Sequence, residues 1–150
     1  MPKNTLQGVI DTNVLIRANI TKNGSDYSIY KAFLAGRFEL LYSDKTLQEL
    51  NKVLNYPRIF NKYNFTKAKI QKFITSIVTL GKFVYAPKKV KICRDPDDDE
   101  LISIAKAIYV KNPIYIVSGD EDLHDLKDKI KGIKIVTASE FLKLIKNIFL

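Results

Sequence analysis

The chain has 150 residues, of which 46% are hydrophobic and 27% charged, enough for one domain with its own core and too apolar for global disorder. Apolar runs are broken by Lys, Asp or Asn before they approach the roughly 20 residues a membrane span needs, and the opening MPKNTLQGVIDTNVL has no uninterrupted apolar stretch of a secretory signal, so a soluble, cytoplasmic protein is expected. The lone Cys93 and lone His124 argue against disulfide scaffolds, structural zinc and His-based triads; the net charge is +9.

Taken in chain order, LQGVI (6 to 10) reads as a first strand, followed by Asp11 and a segment that it could cap from Thr12. YSIYKAFLAGR (27 to 37) is a helical pattern ending near Gly36, and FELLYS (38 to 43) is a second strand. DKTLQELNKVLN (44 to 55) is a helix with Leu47, Leu50 and Leu54 on one side, stopping before Pro57. After Thr66 comes the clearest period, with Ile70, Phe73, Ile74, Ile77 and Val78 in one stripe and Lys67, Lys69 and Lys72 outside it. A helix from Asp97 to about Val110 carries Leu101, Ile102, Ala105 and Ile108. IYIVS (114 to 118) and IKIVT (133 to 137) are two further strands, and Thr137 with Glu140 forms a capping box opening the last helix. The strands are continuous apolar runs, as strands covered on both faces are, and they alternate with helices. The expected fold is α/β, a three-layer α/β/α sandwich on a mainly parallel central sheet, in a single domain over residues 1–150.

The charge is unevenly spread. From Asn51 to Arg94 there are eleven basic residues and no acidic one, while the rest of the chain has 14 basic against 16 acidic. Tyr56, Phe60, Tyr63, Phe65, Phe73, Phe83 and Tyr85 are interleaved with these cations, a mixture suited to phosphate neutralisation and base stacking on a single strand, although Phe73 belongs to the core stripe. Lys67, Lys69, Lys72, Lys88, Lys89, Lys91 and Arg94 are the candidate RNA contacts; a solvated basic face is the plainer alternative.

Parallel sheets bind ligands beyond the carboxyl ends of their strands. Asp11 follows the first strand directly and Asp120 follows IYIVS. Glu49 lies in the helix after the second strand and Asp99 in the first turn of its helix, so acids from four places in the sequence could converge. Crowded carboxylates repel one another unless a cation intervenes, and oxygen-only ligands select hard ions, Mg²⁺ or Mn²⁺. The associated chemistry is phosphodiester hydrolysis. Each acid also has a plainer explanation. Asp11, Asp120 and Asp122 could be caps, Glu49 a solvated side chain, and Asp95, Asp97, Asp98, Asp99 and Glu100 a run that favours a helix start through its dipole. That run loosely resembles an EF-hand opening, but Glu100 stands at the turn glycine and Lys106 at the closing glutamate. His124 reads as a helix surface residue and Cys93 as inert.

The whole pattern resembles the PIN-domain family of metal-dependent ribonucleases, through IDTNVLI (10 to 16), Glu49 in LQEL, RDPDDDELISIA (94 to 105) and VSGDEDL (117 to 123), in the family's order. Within it, the chain looks most like the toxins of VapC-like toxin–antitoxin pairs. The resemblance implies a metal quartet of Asp11, Glu49, Asp99 and Asp120, with Asp122 as an auxiliary or alternative ligand. Asn13 would orient a carboxylate or water, and Ser118 would add a polar contact. Asp99 is chosen within the acidic run because Ile102 and Ala105 match the apolar helix after the family's third acid. It further implies cleavage of RNA with Mg²⁺ or Mn²⁺, and an antitoxin protein and a homodimer as partners; the short apolar runs lead to no expected membrane association. Two rivals are a haloacid-dehalogenase-type phosphatase, disfavoured because Asn13 stands where its second Asp is needed, and a non-catalytic RNA-binding module on the same fold.

Overall fold

The computed structural model describes residues 5 to 149; the first four residues of the stretch read for a secretory signal lie outside it. Five strands, β1 (Gln7–Ile10), β2 (Glu39–Tyr42), β3 (Lys82–Phe83), β4 (Ile114–Val117) and β5 (Ile133–Val136), form one all-parallel sheet in the order β3-β2-β1-β4-β5. Four of them coincide with the apolar runs. The fifth, β3, escaped sequence reading because two exposed edge residues, Lys82 and Phe83, carry no pattern.

Eight helices are described: α1 (Thr12–Ile20), α2 (Gly24–Leu34), α3 (Asp44–Leu54), α4 (Pro57–Lys62), α5 (Lys67–Leu80), α6 (Pro96–Ile108), α7 (Glu121–His124) and α8 (Ala138–Phe149). Successive strand residues point to opposite faces, and here both faces are covered. Ile10, Leu40, Tyr42, Val117 and Val136 enter one core with α1, α2, α3, α5 and α8. Val9, Leu41, Ile114, Ile116, Ile133 and Ile135 enter a second core, against Leu101, Ile102, Ile104 and Ala105 of α6 and Leu123 of α7. The three-layer α/β/α sandwich follows from that double burial.

Local chemistry sets the ends of these elements. Gly36, with φ +72°, takes the left-handed conformation just past α2, which favours glycine. Ser43 and Thr46 make a reciprocal capping box at α3, Thr66 caps α5, and Thr137 with Glu140 forms the expected box at α8. The α3 helix stops before Pro57 as expected, and that proline opens α4, a position that needs no N–H donor. Two expectations are corrected. The second helix starts at Gly24, three residues before the periodic stretch from Tyr27. Val78 of the α5 stripe remains exposed. Among the described residues no helix is long and apolar enough to cross a membrane.

Candidate active site

The chain winds outward from β1 to β2 and β3, then returns to β4 on the other side of β1. That reversal leaves a crevice between β1 and β4 at the carboxyl edge. The register Ile10↔Val117 sets Asp11 beside the Ser118–Asp120 turn. Asp11 is buried and uses both oxygens: Oδ1 accepts from the N–H of Asn13 at 3.1 Å, capping α1, and Oδ2 accepts from Ser118 Oγ at 2.7 Å. Ser118 Oγ in turn accepts from the N–H of Asp120 at 3.0 Å. Asp11 is therefore both the cap and the member of the cluster, and one serine ties the two strand-end acids together.

The acidic run required a choice, and in the structure its members point in different directions. Successive helix residues point roughly 100° apart, so adjacent acids cannot share a direction. Asp95 caps α6 through the N–H of Asp97 at 2.9 Å. Asp99, expected to face the site, turns away: its Oδ1 accepts from the N–H groups of Ile92 at 3.0 Å and Cys93 at 2.8 Å. Burial works to raise its pKa, but those N–H groups, the Cys93 thiol and the charge of Lys45 hold it below the ordinary value. Asp98 is the acid that faces the crevice. It is 5% exposed, and burial, a side-chain hydrogen bond with Asp120 and the charges of Asp120, Asp95 and Asp11 push its pKa up to about 7. Its Oδ2 is buried without a hydrogen-bond partner among the described residues.

Glu49, half-buried on α3, completes the approach of the acids. It lines a cavity of about 20 Å³ together with Asp11, Thr12, Lys45, Thr46, Asp97, Asp98 and Glu100. That volume suits a single water-sized occupant. Among the described residues no three Asp, Glu, His or Cys side chains form a ready-made ion-holding group. Asp11, Glu49 and Asp98 line the cavity, and Asp120 lies outside its wall, linked to it through Asp98 and through Ser118 to Asp11.

Several members of this site were missed in the sequence. Lys45 lies 3.9 Å from Asp97 and reaches the Pro96 carbonyl at 3.4 Å, putting a cation on the cavity wall. Glu100, 2% exposed, accepts from Ser43 Oγ at 2.7 Å and from Lys89 Nζ at 3.2 Å, with its other oxygen 2.9 Å from the same Nζ. Only the capping position of Ser43 could have hinted at this, since Lys89 and Glu100 belong to an unpatterned segment and an acidic run. His124 is half-buried rather than on the surface, with Nε2 2.7 Å from the Ser118 carbonyl, so that contact braces the turn carrying Asp120. Cys93 has its thiol pushed up to about 12 by burial, by its hydrogen bond to Asp99 and by the charges of Asp99, Asp98 and Asp120, in keeping with an inert side chain.

Other candidates fall outside the cluster. Asn13 contributes its backbone N–H while its side chain is exposed, and Asp122 is exposed with its N–H donated to Asp120 at 2.9 Å. Lys67, Lys72, Lys88, Lys91 and Arg94 are exposed. Two of the cations are engaged: Lys69 donates to the Asn19 carbonyl at 3.2 Å and sits over the Phe65 ring, and Lys89 is ion-paired to Glu100.

Comparison with known proteins gives two matches. Residues 7–122 match the family model described as PIN domain. Over 135 residues, 90% of this chain and 84% of the relative, the sequence is 30% identical to an uncharacterized protein, MJ1680, of Methanocaldococcus jannaschii.

Proposed function

The chain belongs to the PIN-domain family, whose members are in general nucleases that use divalent metal ions, and on that premise we propose that it is a metal-dependent endoribonuclease. The observation that carries the reading is Asp98 Oδ2, a buried carboxylate oxygen with no partner among the described residues, in a side chain that meets Asp120 and shares with Asp11 the wall of an ion-sized cavity. A group with that environment must be either protonated or neutralised by a cation. Asp11, Glu49, Asp98 and Asp120 would hold Mg²⁺ or Mn²⁺, which supplies activation of water and charge neutralisation for phosphodiester hydrolysis. The acidic third position of the quartet thus passes from Asp99 to Asp98.

The protein's own groups carry the rest. Ser118 fixes the orientation of Asp11, and His124 braces the Asp120 turn. Lys45 offers a charge to a phosphate entering the cavity, and the exposed lysines and Arg94 between β3 and α6 offer further contacts to the strand. A toxin of a toxin–antitoxin pair, acting in the cytoplasm as a homodimer and restrained by an antitoxin protein, is the proposed biological setting.

The test is a Mn²⁺ titration of wild type and Asp98→Asn, following ion binding and cleavage of a generic single-stranded RNA. Saturable Mn²⁺ binding and cleavage in wild type, both lost in Asp98→Asn and with cleavage lost to EDTA, is the expected result. Binding of RNA with no Mn²⁺ site sensitive to Asp98 overturns the reading in favour of a non-catalytic RNA-binding module.

A further inference from the structure

A groove of about 440 Å³ opens between the segment following β3 and α6, lined by Tyr85, Lys88, Lys89, Val90, Ser103 and Lys106. That volume is within the range of small-ligand sites and suits one nucleotide. Tyr85 is 76% exposed, a large ring held in water between buried Val84 and Ala86. The segment that carries it is tied on either side: the N–H of Val84 donates to the Tyr42 carbonyl at 2.7 Å, and the N–H of Val90 donates to Ser103 Oγ at 3.1 Å. The ring stands in water on this anchored segment with nothing stacked on it among the described residues.

The chemistry around the ring is complementary to a nucleotide. Ala86, Pro87 and Ala107 contribute apolar surface, while Lys88 and Lys106 are exposed and make no ion pair among the described residues. Lys89 stands between the groove and the acid cavity, because its partner Glu100 lines that cavity. We propose that this groove is a nucleotide subsite for single-stranded RNA, with a base on the Tyr85 ring and its flanking phosphates on Lys88 and Lys106. The proposal rests on the endoribonuclease reading for its occupant: a strand passing the acid cavity meets the groove on the other side of the Lys89–Glu100 pair. Only an unpaired base can lie flat on the ring, so the subsite selects single strands over duplex.

The experiment measures binding of a fluorescently labelled ten-residue oligouridylate by anisotropy, in EDTA so that no cleavage occurs, and then single-turnover cleavage of the same strand with Mn²⁺. Tyr85→Leu should weaken binding by roughly 5- to 150-fold, while Tyr85→Phe stays near wild type. Replacing Lys88 and Lys106 together with Gln should lower the salt slope by about 1.4, from roughly 0.7 per phosphate contact. In cleavage, Tyr85→Leu should raise the protein concentration for half-maximal rate and leave the maximal rate unchanged. Wild-type affinity in Tyr85→Leu, an unchanged slope in the lysine variant, or no binding by wild type overturns the subsite. Failure of the enzymatic reading looks different: wild type binds the strand in a Tyr85-dependent way but never cuts it.

Discussion

Ser118 Oγ donates to Asp11 Oδ2 at 2.7 Å across 107 positions of sequence, and the same oxygen accepts the N–H of Asp120. One hydroxyl thus orients the carboxylate that ends β1 and the turn that follows β4. A contact of this kind fixes which lone pairs of Asp11 remain for a ligand.

Ser118→Ala should therefore reduce Mn²⁺ affinity and RNA cleavage by roughly 10- to 100-fold, the usual cost of removing a group that orients a metal ligand. The fold should lose only about 1–3 kcal/mol, for Asp11 Oδ2 left without its donor. Isothermal titration with Mn²⁺ and denaturant unfolding separate the two effects. Wild-type affinity in the variant would refute the orienting role.

Asp98→Asn and Asp99→Ala should behave oppositely. Asp98→Asn removes a facing charge, so cleavage falls by a hundredfold or more on the order expected for a lost ligand, while the metal-free protein gains roughly 1–3 kcal/mol at pH 8. Asp99→Ala strips the Ile92 and Cys93 N–H groups of their acceptor, costing about 1–3 kcal/mol of stability. Cleavage per folded molecule should fall less than in Asp98→Asn. The reverse ranking in rate assays would restore Asp99 to the quartet.

The pH dependence of metal-free stability follows from two opposite displacements. Asp98 titrates near 7 in the folded state, above its unfolded value, so the native state holds its proton more tightly and stability declines as pH rises from about 4 to about 7. Asp99 and Glu140 titrate below their ordinary values, so their contribution is present above the ordinary carboxylate range and is lost as pH falls through their lowered values. Urea unfolding in EDTA should show a maximum on the acid side of neutrality. Asp98→Asn should abolish the decline toward neutrality and leave the acid limb, and a decline that persists in that variant would contradict the assignment.

Lys89→Met should destabilise the fold by about 1–3 kcal/mol, because it leaves Glu100 buried with Ser43 as its remaining donor. Glu100→Gln in the Lys89→Met background should recover part of that loss by removing the stranded charge. A double-mutant cycle by chemical denaturation measures the coupling, and strict additivity would show that the pair is not coupled.

Much of this molecule was legible without coordinates. Four strands declared themselves as continuous apolar runs because both faces are buried, and the α8 capping box followed from Thr137 and Glu140 at the right spacing. Asp11 and Asp120 could be placed at strand ends, and a parallel sheet puts such ends on one edge. Glu49 was a weaker inference, since a single acid outside an apolar stripe looks the same whether it faces solvent or a cavity.

What only the tertiary structure decided is the direction of each side chain. Asp97, Asp98 and Asp99 are chemically near-identical in sequence, yet the rotation of α6 sends Asp98 into the crevice while the Ile92 and Cys93 amides capture Asp99. Lys89 reads as one cation among eleven until Glu100 is seen buried beneath it, and Tyr85 as one aromatic among many until it is seen lining the groove. Periodicity records which faces are apolar because burial free energy is summed over many residues. It cannot record the partner of a single polar group, which depends on where two distant segments meet in space.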